Sequence, residues 1–216
     1  MKTSVETITN LMEDRSRVMP MGTPPRTLDF IFHNKIPKAG SSSMKHLLKV
    51  LAPLNNFALD HVRIIKFDHV HHKRLIGHLK NFEKHHPAKP HVLLKHHTFL
   101  NFTNFGFRQP TYINVVRDPV SQFASFYYFK RNGWELNEGE RFAFHGDGTD
   151  QVRTMDECVQ QNRKECLDPP IPVLTKYFCG IHSYCNREDK AKAAEQSKIN
   201  IIQNYYTIGV LGESQN

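Results

Sequence analysis

The sequence predicts an α/β domain, a parallel sheet flanked by helices, on two observations. Short apolar runs of strand length alternate with segments whose apolar residues recur at helical spacing, which is the order a parallel sheet requires. Two of the predicted strands also run straight into loops that open helices, Lys35-Ile-Pro-Lys-Ala-Gly-Ser-Ser-Ser43 and Arg117-Asp-Pro119. In such folds ligands gather at the carboxyl ends of strands, and both loops sit at such ends.

In chain order, residues 1–27 read as a flexible leader ending in Thr23-Pro-Pro25, and one domain spans 28–216. Phe30-Ile31-Phe32 is the first strand, and Met44, Leu47, Leu48 and Leu51 mark the helix that follows the first loop. A short strand is expected within Asp60–Lys66, a helix around 73–84, and strands at 91–94 and 112–116. Asp118 suits an N-cap and Pro119 the first helical position, so a helix is expected over 119–131. Residues 132–156 hold Gly133, Gly139, Gly146 and Gly148 among scattered charges and read as loop. Glu188–Asn204 has helical composition, and Tyr206–Leu211 reads as a final strand.

Composition narrows the partners. The 216 residues carry a net charge of +8 with 14 further histidines, so the surface attracts polyanions, more strongly as pH falls. No zinc-finger spacing, basic zipper or RNA-recognition signature points to nucleic acid. No run of 18 apolar residues occurs, and Met1–Pro25 lacks the apolar stretch of a signal peptide. Cys158, Cys166, Cys179 and Cys185 allow three disulfide connectivities. A zinc site using Cys and His182 lacks the two-residue gap of a zinc knuckle. Asn101-Phe-Thr103 is a glycosylation sequon, usable in a secretory lumen.

The two loops carry the chemistry. Small residues at Ala39, Gly40, Ser41, Ser42 and Ser43 let backbone N–H groups close on a phosphate at a helix N-terminus, and Lys38 adds a full positive charge. The nucleoside-triphosphate pattern is absent, because no Gly-Lys-Ser/Thr closes the loop and no carboxylate suited to magnesium stands beside it; this disfavours a kinase. Arg117 at a strand end and Ser125 two turns into the next helix are placed to reach a second phosphate.

In wording and order these segments resemble the 5′-phosphosulfate loop and 3′-phosphate motif of the sulfotransferases. Further resemblance lies in His96-His-Thr-Phe-Leu-Asn-Phe-Thr-Asn-Phe-Gly106, Tyr112–Pro119, Asp156-Glu-Cys158 and Tyr177-Phe-Cys-Gly180, and narrows the match to the uronyl and heparan sulfate 2-O-sulfotransferases. The resemblance implies a P-loop-like sulfotransferase fold and the donor 3′-phosphoadenosine 5′-phosphosulfate (PAPS). Lys38, Ala39, Gly40, Ser41, Ser42 and Ser43 would hold its 5′-phosphosulfate, and Arg117 and Ser125 its 3′-phosphate, with no metal. It implies sulfate transfer to the 2-hydroxyl of a uronic acid in a glycosaminoglycan such as heparan or dermatan sulfate.

His96 is the expected catalytic base, Lys38 the group that meets leaving-group charge, and His97 the runner-up base. Lys35 would face the sugar carboxylate, with Arg131 or Arg141 as further acceptor contacts and Tyr127 and Tyr128 along the sugar groove. The resemblance also implies bridges Cys158–Cys166 and Cys179–Cys185, and a type II Golgi membrane protein whose anchor is not seen in this chain. Heparan sulfate members tend to read Thr-Ala-Ser-Thr-Ser where this loop reads Ala-Gly-Ser-Ser-Ser. Family catalytic domains also continue beyond the segment matched at Asn216, so a C-terminally incomplete chain is expected. The rival to an enzyme is an inactive truncated form that only binds donor or sulfated polysaccharide.

Overall fold

A computed structural model of the chain describes residues 28–61, 69–86, 89–132, 134–137, 140–142, 147–167, 173–185 and 189–212. The leader at 1–27 and the 62–66 part of the expected second strand lie outside the described residues. Five parallel strands form one sheet: β1 (Phe30–Asn34), β2 (Ala58–His61), β3 (His91–Lys95), β4 (Thr111–Arg117) and β7 (Tyr205–Leu211), in the order β2-β3-β1-β4-β7. Helices α1 (Ser41–Leu54), α2 (His69–His85), α3 (Pro119–Asn132) and α8 (Lys190–Asn204) separate them.

The strands read as apolar runs because both sheet faces are covered. Ile31, Leu59, Val92 and Leu94 pack with Met44 and Leu48 of α1. Phe30, Phe32, Leu93 and Tyr112 instead join Leu75, Ile76 and Leu79 of α2, Ile201 of α8 and the aromatic Phe99–Phe107 segment in the main core. All five residues of β3 are buried accordingly.

β1 lies at the centre, with β3 on one side and β4 on the other. Successive crossovers therefore diverge at its carboxyl end, where a crevice opens in folds of this kind. Buried side chains tie the strand ends together there. Asn114 Nδ2 donates to the Asn34 carbonyl and to Asn34 Oδ1, both at 2.8 Å, and Tyr205 Oη donates to the same Oδ1 at 3.0 Å.

Residues 132–156 depart from the loop reading. They contain an antiparallel hairpin, β5 (Trp134–Asn137) with β6 (Glu140–Phe142), the helix α4 (Gly148–Val152) and the start of α5 (Met155–Gln160). Caps explain the helices: Asp147 accepts from Asp150 N–H, and Thr154 and Glu157 form a reciprocal capping box. Two further short helices, α6 (Lys164–Leu167) and α7 (Val173–Cys179), precede α8. Cys158 is bonded to Cys166 and Cys179 to Cys185, leaving no thiol for a zinc site. Among the described residues no helix is long and apolar enough to cross a membrane.

Candidate active site

The chain leaves β1 through a loop that must turn sharply to start α1. Lys38 (φ 62°) and Gly40 (φ 75°) both take the left-handed conformation there. Gly40 is the N-cap and offers no side chain to the first N–H groups of the helix, and no acidic residue stands in the first turn. Those amides and the positive end of the helix dipole are thus left for an external anion. A β-carbon on Gly40 would meet Leu211 only at ordinary contact distance, 3.6 Å, so its cost is conformational. Gly40→Ala is expected to lower unfolding free energy by about 1–2 kcal/mol, read by urea denaturation.

β4 delivers Arg117 to the same edge, and Asp118 caps α3 by accepting the Ser121 N–H at 2.9 Å. One face of α3 then lies against the loop. Gln122 Nε2 donates to the Pro37 carbonyl at 2.7 Å, and the Lys38 ammonium sits 4.2 Å from the centre of the Phe129 ring. Burial, and next the charge of Arg117, lower the Lys38 pKa from its ordinary value.

These groups surround a cavity of about 600 Å3. Of the expected donor-binding residues, Lys38, Gly40, Ser41, Ser42, Arg117 and Ser125 line it, whereas Ala39 is buried behind the loop and Ser43 is exposed without lining it. Pro37, Phe126, Phe129, Tyr177 and Leu211 complete the wall. Pro37 and Tyr177 belong to segments that bear the family resemblance, whereas Phe126, Phe129 and Leu211 carry no motif. Burial raises the Tyr177 pKa, so its phenol stays protonated at neutral pH. Among the described residues no acidic residue lines the cavity.

His96, just past β3, lines the cavity too. Its Nδ1–H donates to the Lys35 carbonyl at 2.9 Å, which fixes the tautomer and leaves the Nε2 lone pair as a proton acceptor. Burial, and then the Lys35 charge, push its pKa down to about 4, so the ring is neutral at pH 7. His97 is buried away from this wall: its Nδ1–H donates to the Thr98 carbonyl at 2.6 Å, and its Nε2 accepts from His72 at 2.8 Å.

The expected acceptor residues fare differently. Lys35 is buried, with Nζ 3.1 Å from His61 Nε2, and is not a wall of the cavity. Tyr127 does not line this cavity: it is 4% exposed, its hydroxyl donates to the Arg153 and Thr154 carbonyls, and the Arg131 guanidinium lies 3.4 Å over its ring. Tyr128 is half-exposed, and its hydroxyl accepts from Met155 N–H instead of lining the cavity. Helical phase is the reason, because Gln122, Ser125, Phe126 and Phe129 form the face turned to the loop and positions 127, 128 and 131 fall off it. Arg131 is committed to Glu165 at 2.6 Å, and the Arg141 side chain lies outside the described residues.

Comparison with known proteins identifies the family. The model of the sulfotransferase family matches residues 27–205. Uronyl 2-sulfotransferase of Mus musculus is 33% identical over 204 residues, covering 89% of this chain and 48% of that protein, and the Homo sapiens protein of the same name matches equally. Heparan sulfate 2-O-sulfotransferase 1 of Xenopus laevis is 32% identical over 185 residues, covering 85% of this chain and 51% of its own. The chain spans about half the length of the curated relatives it matches. The parallel sheet, the glycine-capped loop after β1 and the match across most of the chain lead to one assignment: this chain belongs to the sulfotransferase family.

Proposed function

We propose that residues 28–216 form a domain that transfers a sulfuryl group from PAPS to the 2-hydroxyl of a uronic acid in a glycosaminoglycan. The observation that carries this reading is the single cavity wall shared by His96, Lys38, Arg117 and the open N-terminus of α1. The chemistry of the wall suits such a donor: two cations and several unmet amides face one space, and among the described residues no carboxylate lines it. PAPS supplies an activated sulfuryl group joined to a phosphate leaving group.

Lys38, Gly40, Ser41 and Ser42 would hold the phosphosulfate end, and Arg117 and Ser125 the 3′-phosphate. His96 Nε2 takes the proton of the 2-hydroxyl as its oxygen bonds to sulfur. The bond between sulfur and the bridging oxygen breaks, its electron pair stays on the phosphate, and Lys38 with the helix amides meets the charge that builds there. Lys35 acts on this step from behind His96, through its charge and its carbonyl. The +8 surface favours an anionic polysaccharide acceptor, and the two disulfides favour the oxidising Golgi lumen as the place of work.

Two measurements test the reading. Labelled sulfate from PAPS should appear on uronic acid of desulfated heparin or dermatan after depolymerisation. Label on the amino sugar alone would overturn the 2-O assignment. Calorimetry with adenosine 3′,5′-bisphosphate should show Arg117→Ala binding about tenfold to hundredfold more weakly, the worth of a charge-assisted phosphate contact. Unchanged affinity would remove Arg117 from the donor site.

A further inference from the structure

A second cavity, of about 530 Å3, is walled by Phe99 and Gly180. His96 and Tyr177, a few residues earlier on the same two segments, wall the first, and the segments are joined by Phe99 N–H donating to the Tyr177 carbonyl at 2.7 Å. The chemistry differs sharply between the two. The second is lined by the carboxamides of Asn101, Asn104, Gln196, Asn200, Gln203 and Asn204, and among the described residues no lysine, arginine, aspartate or glutamate lines it. Carboxamides offer donor and acceptor together without charge, which suits a neutral, hydroxyl-rich ligand and gives an anion no counter-charge.

Part of this wall is fixed in advance. Asn200 Nδ2 donates to the Phe178 and Cys179 carbonyls at 2.8 and 2.9 Å, its Oδ1 accepts from Gln196 at 3.0 Å, and Asn204 Nδ2 donates to the Asn200 carbonyl at 3.2 Å. On the rim, His182 is stacked against Tyr184 with ring centres 5.0 Å apart.

Asn101 is both a wall of this cavity and the first residue of the sequon Asn101-Phe-Thr103. It is exposed, and its Oδ1 accepts from Thr103 N–H at 3.1 Å and from Thr103 Oγ1–H at 2.6 Å. Nδ2 is the atom that a sequon presents for modification. The two disulfides belong to the oxidising compartments where that modification occurs.

We infer that Asn101 carries an N-linked glycan and that its first N-acetylhexosamine seats in the adjoining carboxamide cavity. The attachment balances with a lipid-diphosphate oligosaccharide as co-reactant and a cellular oligosaccharide transferase as catalyst. Asn101 Nδ2 bonds to C1 of the sugar, the C1–oxygen bond to the diphosphate breaks, the electron pair leaves with the diphosphate, and the Nδ2 proton passes to the base of the transferase.

The test uses the chain secreted from eukaryotic cells. Peptide mapping should find Asn101 occupied in the parent and in Thr103→Ser, and unoccupied in Thr103→Ala. Backbone hydrogen exchange over 180–183 and 196–204 should be at least several-fold slower in the glycosylated parent than in Asn101→Gln and Thr103→Ala. Two sequon variants keep the comparison valid if either one folds poorly. An unmodified Asn101 overturns the attachment, and an occupied Asn101 with unchanged exchange over both segments overturns the seat.

Discussion

Replacing His96 by alanine is expected to lower sulfuryl transfer by about 10²–10⁴-fold, the worth of a positioned general base. Affinity for adenosine 3′,5′-bisphosphate should stay that of the parent. The asymmetry follows from the proposed roles: the ring offers a lone pair to the cavity, whereas the groups proposed to hold the anion come from the β1 loop and from Arg117 and Ser125. His97→Ala provides the contrast. That ring is buried against His72 and Thr98, so its loss should cost stability and spare turnover. With a ground-state pKa of about 4, the acid limb of kcat/KM should fall well below the ordinary histidine value of 6.5. Equal turnover by the parent and His96→Ala would refute the assignment of the base.

Marked loss of stability between pH 6.5 and pH 4 is the second large effect. His33 and His96 are both pushed down to about 4, chiefly by burial, with Lys35 adding a repelling charge to each. The unfolded chain, with ordinary histidines, binds protons in this window that the folded chain does not. Stability is therefore full above pH 6.5 and drains away as pH falls through the folded values. Each histidine accounts for about 3 kcal/mol at most, a large share of the margin of an ordinary domain. Asp60, whose pKa burial would raise but the close His78 contact at 2.6 Å and neighbouring His91 hold below the usual range, weakens the fold at still lower pH. His33→Asn removes one titrating ring from the pair. Urea denaturation at pH 7 and pH 4.5 should show the difference between the two pH values shrinking by about half in that variant. An undiminished difference would mean that other groups carry the acid response.

The sheet and the two loops at its carboxyl edge were legible because their signals are local. An apolar run, a stretch of small residues and a capped helix start each fit within about ten residues, on the scale of a single element and its turn. Ser125 even carried unused information. Taken as a ligand, it fixes the phase of α3 and so names Gln122, Phe126 and Phe129 as its neighbours, while turning Tyr127 and Tyr128 away. Those two tyrosines were chosen by residue type where periodicity would have decided otherwise. Tyr177 and Leu211 reach the cavity through tertiary packing of α7 and β7, which no local pattern encodes. The burial of Lys35 was hidden likewise, because its contact with His61 depends on β1 and β2 flanking the same β3. The hairpin and capped turns within 132–156 were masked by glycines, although the Thr154–Glu157 capping box is a signature that sequence alone can show.

The hydrogen bond from Tyr205 to Asn34 joins residues 171 positions apart. Asn34 immediately precedes the Lys35–Ser43 loop, and its Oδ1 gains its second donor, beside Asn114, only once β7 has docked next to β4. On the ribosome Asn34 emerges 171 residues before Tyr205. The loop thus lacks this tie until β7 has emerged, and under the proposed function donor binding by the nascent chain is expected to begin only after that point.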